Sequence, residues 1–297
     1  EYNKSGYPQG TIGVREFFFN ATDVRLFNIN TSVGNFTLER DDVRFLLVGG
    51  NATSIYRNSP DRRNFTVQVI DADTNATIGG IVSDNANVWI TTDGSNFDSG
   101  TARNTNSTGH MRYEFDPTCN YGTGVQYWKA GIFGPGIDWK DTNSTLYTFN
   151  ITSDLYVNIS QPLNMFVNIK GLNITFRGNV TDECPNMISG AVVTFNATNT
   201  TLASSMKCTA SDENSGYYNC SLNTSVLQFG KYGLSMNATK QFYNDSTTVL
   251  APYAFVVTSK PRIISTVISP TTNGWGNITF FNATVDDTDN GVTVDSD

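Results

Sequence analysis

The chain is short of histidine, of charge and of long apolar runs, and each shortage excludes something. A single histidine, His110, stands in the stretch NSTGHMRYEF. There it reads as a surface or strand-edge residue and not as a catalytic base. The four cysteines show neither CxxC nor Cys/His spacing, so no metal centre is expected from them. No acid, base and nucleophile converge in any motif, and the chain reads as non-enzymatic. Charged residues are 15% of the total against the usual quarter, with a net charge of −8. The nineteen Lys and Arg are scattered and only Arg62 and Arg63 adjoin, which argues against a nucleic-acid or anionic-membrane surface. The longest apolar runs, Phe17–Phe19 and Phe45–Val48, are strand-sized, so no membrane span is expected. No segment keeps a helical period with caps. No secretory signal precedes Glu1, and the reading expects a processed chain or a segment of a longer one.

What the chain does have is the N-glycosylation triplet Asn-x-Ser/Thr. It starts at Asn3, Asn20, Asn30, Asn35, Asn51, Asn64, Asn75, Asn106, Asn143, Asn150 and Asn158. It recurs at Asn173, Asn179, Asn196, Asn199, Asn219, Asn223, Asn237, Asn244, Asn277 and Asn282. These 21 sites are about three times what random order of the same composition yields. Strand preference explains the threonine but not the asparagine, which strands disfavour. The expectation is covalent N-linked glycan at these positions on an extracellular or cell-surface protein. In several triplets the middle residue is bulky and apolar: Phe36, Phe65, Ile151, Ile159, Ile174, Val180 and Ile278. Successive strand side chains face opposite ways, so these residues can enter a core while Asn and Ser/Thr face out.

Strand signals separated by Gly, Asn and Asp turns fall at 24–29, 43–48, 64–70, 86–91, 125–132, 145–150 and 154–159. They continue at 165–170, 172–181, 190–197, 216–222, 231–239, 248–258 and 275–285. An internal repeat divides the chain. Ile159-Ser-Gln-Pro162 recurs as Thr258-Ser-Lys-Pro261, 99 residues on, and NITFRGNVTD (173–182) recurs as NITFFNATVD (277–286). The expected organisation is an elaborated sandwich over 1–160, an immunoglobulin-like domain over 161–260, and the first strands of another over 261–297. Two strands cannot stand alone, so the last piece would be completed by further chain or by a neighbouring subunit. Four cysteines allow three pairings. Cys208 and Cys220 flank a turn signal at 212–216 and are expected to bond across a hairpin. That leaves Cys119 and Cys184 for each other, as a staple between the first two domains.

VTDECPNMISGAVVTFNAT (180–198), DENSGYYNCSL (212–222) and GKYGLSMNAT (230–239) resemble the invasin type of surface immunoglobulin-like domain. With the dense triplets and CNYGTGVQYWKAG (119–131), the chain is similar to tandem immunoglobulin-like glycoproteins of archaeal surfaces. The resemblance covers roughly 110–297 and implies an all-β fold of tandem immunoglobulin-like β-sandwiches, the last incomplete. Trp89, Trp128, Trp139 and Trp275 read as packing residues before sugar-stacking ones. The acidic runs Asp71-Ala-Asp73-Thr-Asn75 and 286–291 depart from the calcium-loop pattern and read as turns, which leaves calcium weakly supported. The expected function is a heavily glycosylated structural protein of an extracellular filament or surface layer, in which copies of the chain associate end to end. The alternative is an adhesin that binds a glycan or protein partner through the first domain.

Overall fold

The computed structural model describes residues 12–25, 27–57, 59–135, 137–249, 253–287 and 292–294. Among them regular structure is nearly all strand, with short 3-10 turns at Ser83–Asn85 and Thr224–Val226. No helix of the described residues is long and apolar enough to cross a membrane. The chain divides into two compact units, Glu1–Thr152 and Ser153–Asp297.

The first unit begins with β1 (Gly13–Phe17), β2 (Asn20–Thr22), β3 (Asn28–Asn30) and β4 (Gly34–Leu38). β1 pairs with β4, and β2 pairs with β3. Of the strand expected at 24–29 only Asn28 and Ile29 are in a strand, β3; the chain before them turns, with the Asp23 carboxylate accepting the backbone N–H groups of Arg25 and Phe27. Then come β5 (Val43–Gly49), β6 (Thr53–Tyr56), β7 (Arg63–Asp71), β8 (Ala86–Ile90), β9 (Thr101–Ala102), β10 (His110–Phe115), β11 (Gly124–Ile132), β12 (Thr142–Asn143) and β13 (Tyr147–Gln161). One sheet runs β10-β7-β5. The other runs β13-β11-β8-β9, with β12 on β11 and β6 parallel to β13. Between them lies a core in which Phe65 stands 5.0 Å from Trp128, 4.8 Å from Phe149 and 5.5 Å from Phe115, centroid to centroid. Trp128 is fully buried, and its indole N–H donates to the Gly50 carbonyl at 2.9 Å, so its one polar atom is satisfied.

The two strands expected at 145–150 and 154–159 are one strand, β13. Ser153 and Asp154 read as a break, but Ser153 is buried, takes the Phe242 carbonyl with its N–H, and hydrogen-bonds the Glu183 carboxylate with its hydroxyl. With those groups satisfied the pleat continues. β13 changes partner along its length: Tyr147–Ile151 is antiparallel to β11, whereas 155–161 ladders with the first long strand of the second unit. It therefore runs through the boundary expected at 160.

The second unit continues with β14 (Phe166–Ile169), β15 (Asn173–Asp182), β16 (Val192–Asn199), β17 (Ser205–Thr209), β18 (Ser211–Asp212), β19 (Tyr217–Asn223), β20 (Gly230–Thr239), β21 (Tyr243–Asn244), β22 (Ser246–Val249) and β23 (Phe255–Thr258). β13-β15-β19-β18 faces β14-β23-β20-β16-β17, with β22 on β20. Phe176, Phe195, Tyr232 and Phe255 fill the space between the sheets, and the Tyr232 and Phe255 rings stack at 5.0 Å. Cys208 and Cys220 are bonded, with Cα atoms 6.2 Å apart. They are not the two arms of one hairpin. Ala210 still pairs with Val193, and Ser211 pairs with Asn219, so the chain changes sheet at that residue and the bond ties β17 in one sheet to β19 in the other.

The last described strands, β24 (Arg262–Ser269), β25 (Phe280–Asp287) and β26 (Val292–Val294), form one antiparallel sheet. The repeat in sequence is not a repeat in pairing. β14 lies parallel to β23, while the corresponding β24 is antiparallel to β25. Ile263, Val267 and Phe281 are exposed, the last at 77%.

The Gly-x-Tyr element at 230–232 opens β20. Tyr232 is buried and its hydroxyl donates to the carbonyl of Gln228, four residues back, at 2.8 Å. This is the tyrosine-corner arrangement of immunoglobulin-type sandwiches, which pins the loop entering a central strand. Removing only the oxygen leaves the Gln228 carbonyl short of a donor. Tyr232→Phe is expected to cost about 1–3 kcal/mol in urea unfolding, with an unchanged slope.

Candidate functional site

The pleat orders the glycan-acceptor triplets. Of the seven apolar middle residues, Phe65, Ile151, Ile159, Ile174 and Val180 are buried. Phe36 is half-buried against Phe17, and Ile278 is exposed. These two lie on β4 and just before β25, whose sheets belong to neither buried core cluster. Among the small middle residues Ala197, Cys220 and Ala238, on the strands around the second core, are buried, whereas Ala21, Ala52, Ala76 and Ala283 are exposed.

Most described acceptor asparagines are exposed. Asn150, Asn179, Asn196, Asn219 and Asn237 are half-buried, and Asn3 lies outside the described residues. Asn199 departs from the expectation of an outward strand residue, at 1% exposure. It ends β16, where its side-chain oxygen accepts the N–H groups of Thr201 at 2.9 Å and Leu202 at 3.0 Å while its amide nitrogen points to the Phe229 carbonyl. The triplet is folded as a turn, and a sugar on that nitrogen has no room. The overlapping triplets at 196 and 199 should thus behave differently. Thr198→Ala is expected to remove one glycan from the intact mass, whereas Thr201→Ala leaves the mass unchanged apart from the substitution.

Two further triplet asparagines sit beside titratable side chains of interest. The Asn106 side-chain oxygen accepts from the N–H groups of Thr108 and His110 and from the Thr108 hydroxyl, which in turn meets the His110 ring nitrogen at 2.9 Å. His110 thereby opens β10 directly after that turn, with no carboxylate among its described hydrogen-bond partners. Asn219 donates to Glu213 at 2.7 Å, and Glu213 is held by Arg177 through two bonds of 2.8 and 2.7 Å. The Arg177 pair, followed by the Asn219 amide, holds the Glu213 carboxyl at about 2, below its ordinary 4.5. A depressed carboxyl stabilises the fold above its unfolded value and loses that contribution as pH falls through the folded one. Urea midpoints are expected to drop between about pH 4.5 and 2, and Glu213→Gln should flatten part of that drop.

The remaining candidates are dispersed. The carboxylates of Asp41, Asp71 and Asp73 lie within 4.8 Å of one another. One Asp71 oxygen accepts the N–H groups of Asp73 and Thr74, which is the turn chemistry expected there. The 286–291 run lies partly outside the described residues. Of the tryptophans, Trp128 is core, Trp139 packs on the edge of the same core, and Trp275 is exposed. Trp275, fully exposed, and Trp89 both differ from the expected packing role. Trp89 is half-buried on the outer face of β8 and lines a groove of about 600 Å³ with Lys129, Phe133 and Asn143. Sequence reasoning missed that groove, though the alternation of β8 around Trp89 carries the signal.

No family profile and no curated protein matches the chain. Among solved structures, a tetra-tandem repeat from the extending region of a large adhesion protein aligns over 95% of this chain and 73% of its own, with 10% identity and a TM-score of 0.47. A three-immunoglobulin segment of titin covers 85% and 76% at 10% identity and 0.42. Invasin, a bacterial integrin-binding protein, covers 85% of this chain and 47% of its own at 15% identity and 0.37. All three fall below a TM-score of 0.5, so they carry no argument about function. What the strands themselves establish is the fold class: an all-β chain of immunoglobulin-like β-sandwiches in tandem.

Proposed function

We propose that this chain is a non-enzymatic, heavily N-glycosylated structural protein of an extracellular filament or cell-surface layer, of the kind found on archaeal surfaces. The observation that carries the reading is the coupling of acceptor to pleat: where the middle residue of a triplet fills a core, its Asn and Ser/Thr stand on the outer face. Sugar there solubilises a surface poor in charge and shields strand edges from pairing with other chains. The apolar side chains left exposed on β24 and β25 favour end-to-end association, in which further chain or a neighbouring copy completes that sheet. The bond between Cys119 and Cys184 belongs to the same proposal, since a filament under shear gains from a staple between domains. A second reading, an adhesin that takes a glycan through the first domain, is favoured by the Trp89 groove alone.

Material isolated from its source should have a mass well above the bare 32.6 kDa that falls to it on deglycosylation, and should form fibres or a lattice in electron micrographs. Non-reducing peptide maps of the same material should join Cys119 to Cys184. A bare mass would remove the glycoprotein reading, and dispersed single particles would remove the filament.

A further inference from the structure

The groove at Trp89 has an unusual floor. On β8 and β11, Trp89 pairs with Lys129 and Asn87 pairs with Gly131, while Gly131 pairs on its other side with Asn143 of β12. All these side chains stand on the outer face, opposite the core residues Val88, Trp128 and Ala130. A Cβ on Gly131 would meet Trp89 Cζ3 at 3.0 Å and collide with the Asn143 side-chain oxygen. A Cβ on Gly100 would meet Trp89 Cδ1 at 2.7 Å. The indole therefore spans two glycines, its pyrrole end nearest Gly100 and its benzo end nearest Gly131. A ring placed for core packing would point inward between side chains. This one lies against two glycines and lines the groove. Phe133 borders it at 5.9 Å, and the Lys129 ammonium lies over the indole, 5.4 Å from its centre, and 4.8 Å from the centre of the Phe97 ring.

We infer that this groove is a seat for a pyranose ring, and that its occupant is the first sugar of the glycan on Asn143. The inference rests on the glycoprotein reading above. A pyranose presents one face of C–H groups to a flat aromatic and a rim of hydroxyls to polar neighbours. Here Asn87, Ser99 and Lys129 supply such neighbours around the indole. The choice of occupant follows from where Asn143 sits. Asn143 itself lines the groove and its side-chain oxygen lies over Gly131, so a sugar bonded to that side chain begins at the edge of the groove. A tethered ring needs no translational entropy to arrive, so even a weak stacking site fills at its high effective concentration. The seat would hold that glycan down on the sheet and cover an aromatic that otherwise faces water.

The test uses the glycosylated protein with Thr145→Ala, which deletes the triplet and keeps Asn143, and with Trp89→Leu. Thr145→Ala should remove one glycan's mass and lower Tm by about 2–4 °C. The same substitution on a Trp89→Leu background should lower it by nothing further. In NMR spectra of the unsubstituted glycoprotein, protons of the Asn143-linked sugar should be shifted upfield by the indole. That measurement stands even if Trp89→Leu fails to fold. Additive Tm losses together with unshifted sugar protons would overturn the seat. An unchanged mass in Thr145→Ala would also overturn it, and the mass released from the remaining triplets then shows separately whether the glycoprotein reading survives. If the Thr145→Ala protein binds N,N′-diacetylchitobiose saturably while the intact glycoprotein shows additive losses, the groove is a receptor for foreign sugar and the assignment to Asn143 fails.

Discussion

The two-residue period of the β-strand is the constraint on which the rest depends. A glycan-acceptor triplet spans three consecutive residues, so on a strand its first and third side chains share one face and its second takes the other. Wherever a strand is covered by a second sheet, the triplet therefore specifies its own orientation: Phe65, Ile151, Ile174 and Val180 go in, and their asparagines go out. A slip of one residue would bury the amides and expose the core together. Acceptor chemistry and register are thus tied to each other. A chain with few charges can still keep a soluble outer face, because Asn, Ser and Thr occupy the positions that Lys and Glu usually hold.

Two exceptions show where the coupling ends. At Asn199 the strand finishes, and the side chain turns back to accept the N–H groups of Thr201 and Leu202. Turn chemistry replaces pleat parity, and an apparent acceptor becomes a buried structural residue. At Trp89 the parity holds but the residue type is inverted, with a large aromatic on the outer face. Gly100 and Gly131 make that possible by leaving no Cβ beneath the ring. In both places a feature that composition assigns to one role is given another by its immediate neighbours.

Alternation supplies an apolar face, but burying it takes a second layer. In each unit two sheets meet and aromatic rings fill the space, around Phe65 in one and around Phe176 and Tyr232 in the other. The strands at 262–269 and 280–287 have the same pattern with no sheet over them among the described residues, and Phe281 stays exposed. The same sequence motif, Asn-Ile-Thr-Phe, thus gives a buried Ile174 in one copy and an exposed Ile278 in the other.

The sequence by itself determined the class of fold, the positions of most strands and, where a second sheet covers the strand, the inward set of middle residues. These follow from local periodicity and turn residues, which act within a few positions along the chain. It also determined that Tyr232 would open a strand and that Cys208 would find Cys220. Only the tertiary structure decided that β13 is one strand with two successive partners, since the Phe242 carbonyl and Glu183 that satisfy Ser153 are distant in sequence. Only it decided that the Cys208–Cys220 bond joins two sheets, that Asn199 is closed to solvent, and that Trp89 rests on Gly131 of β11 and on Gly100 just before β9. Each of those depends on which strands become neighbours, and that is set by cross-strand pairing and core packing over long sequence separations, where a local pattern holds no information.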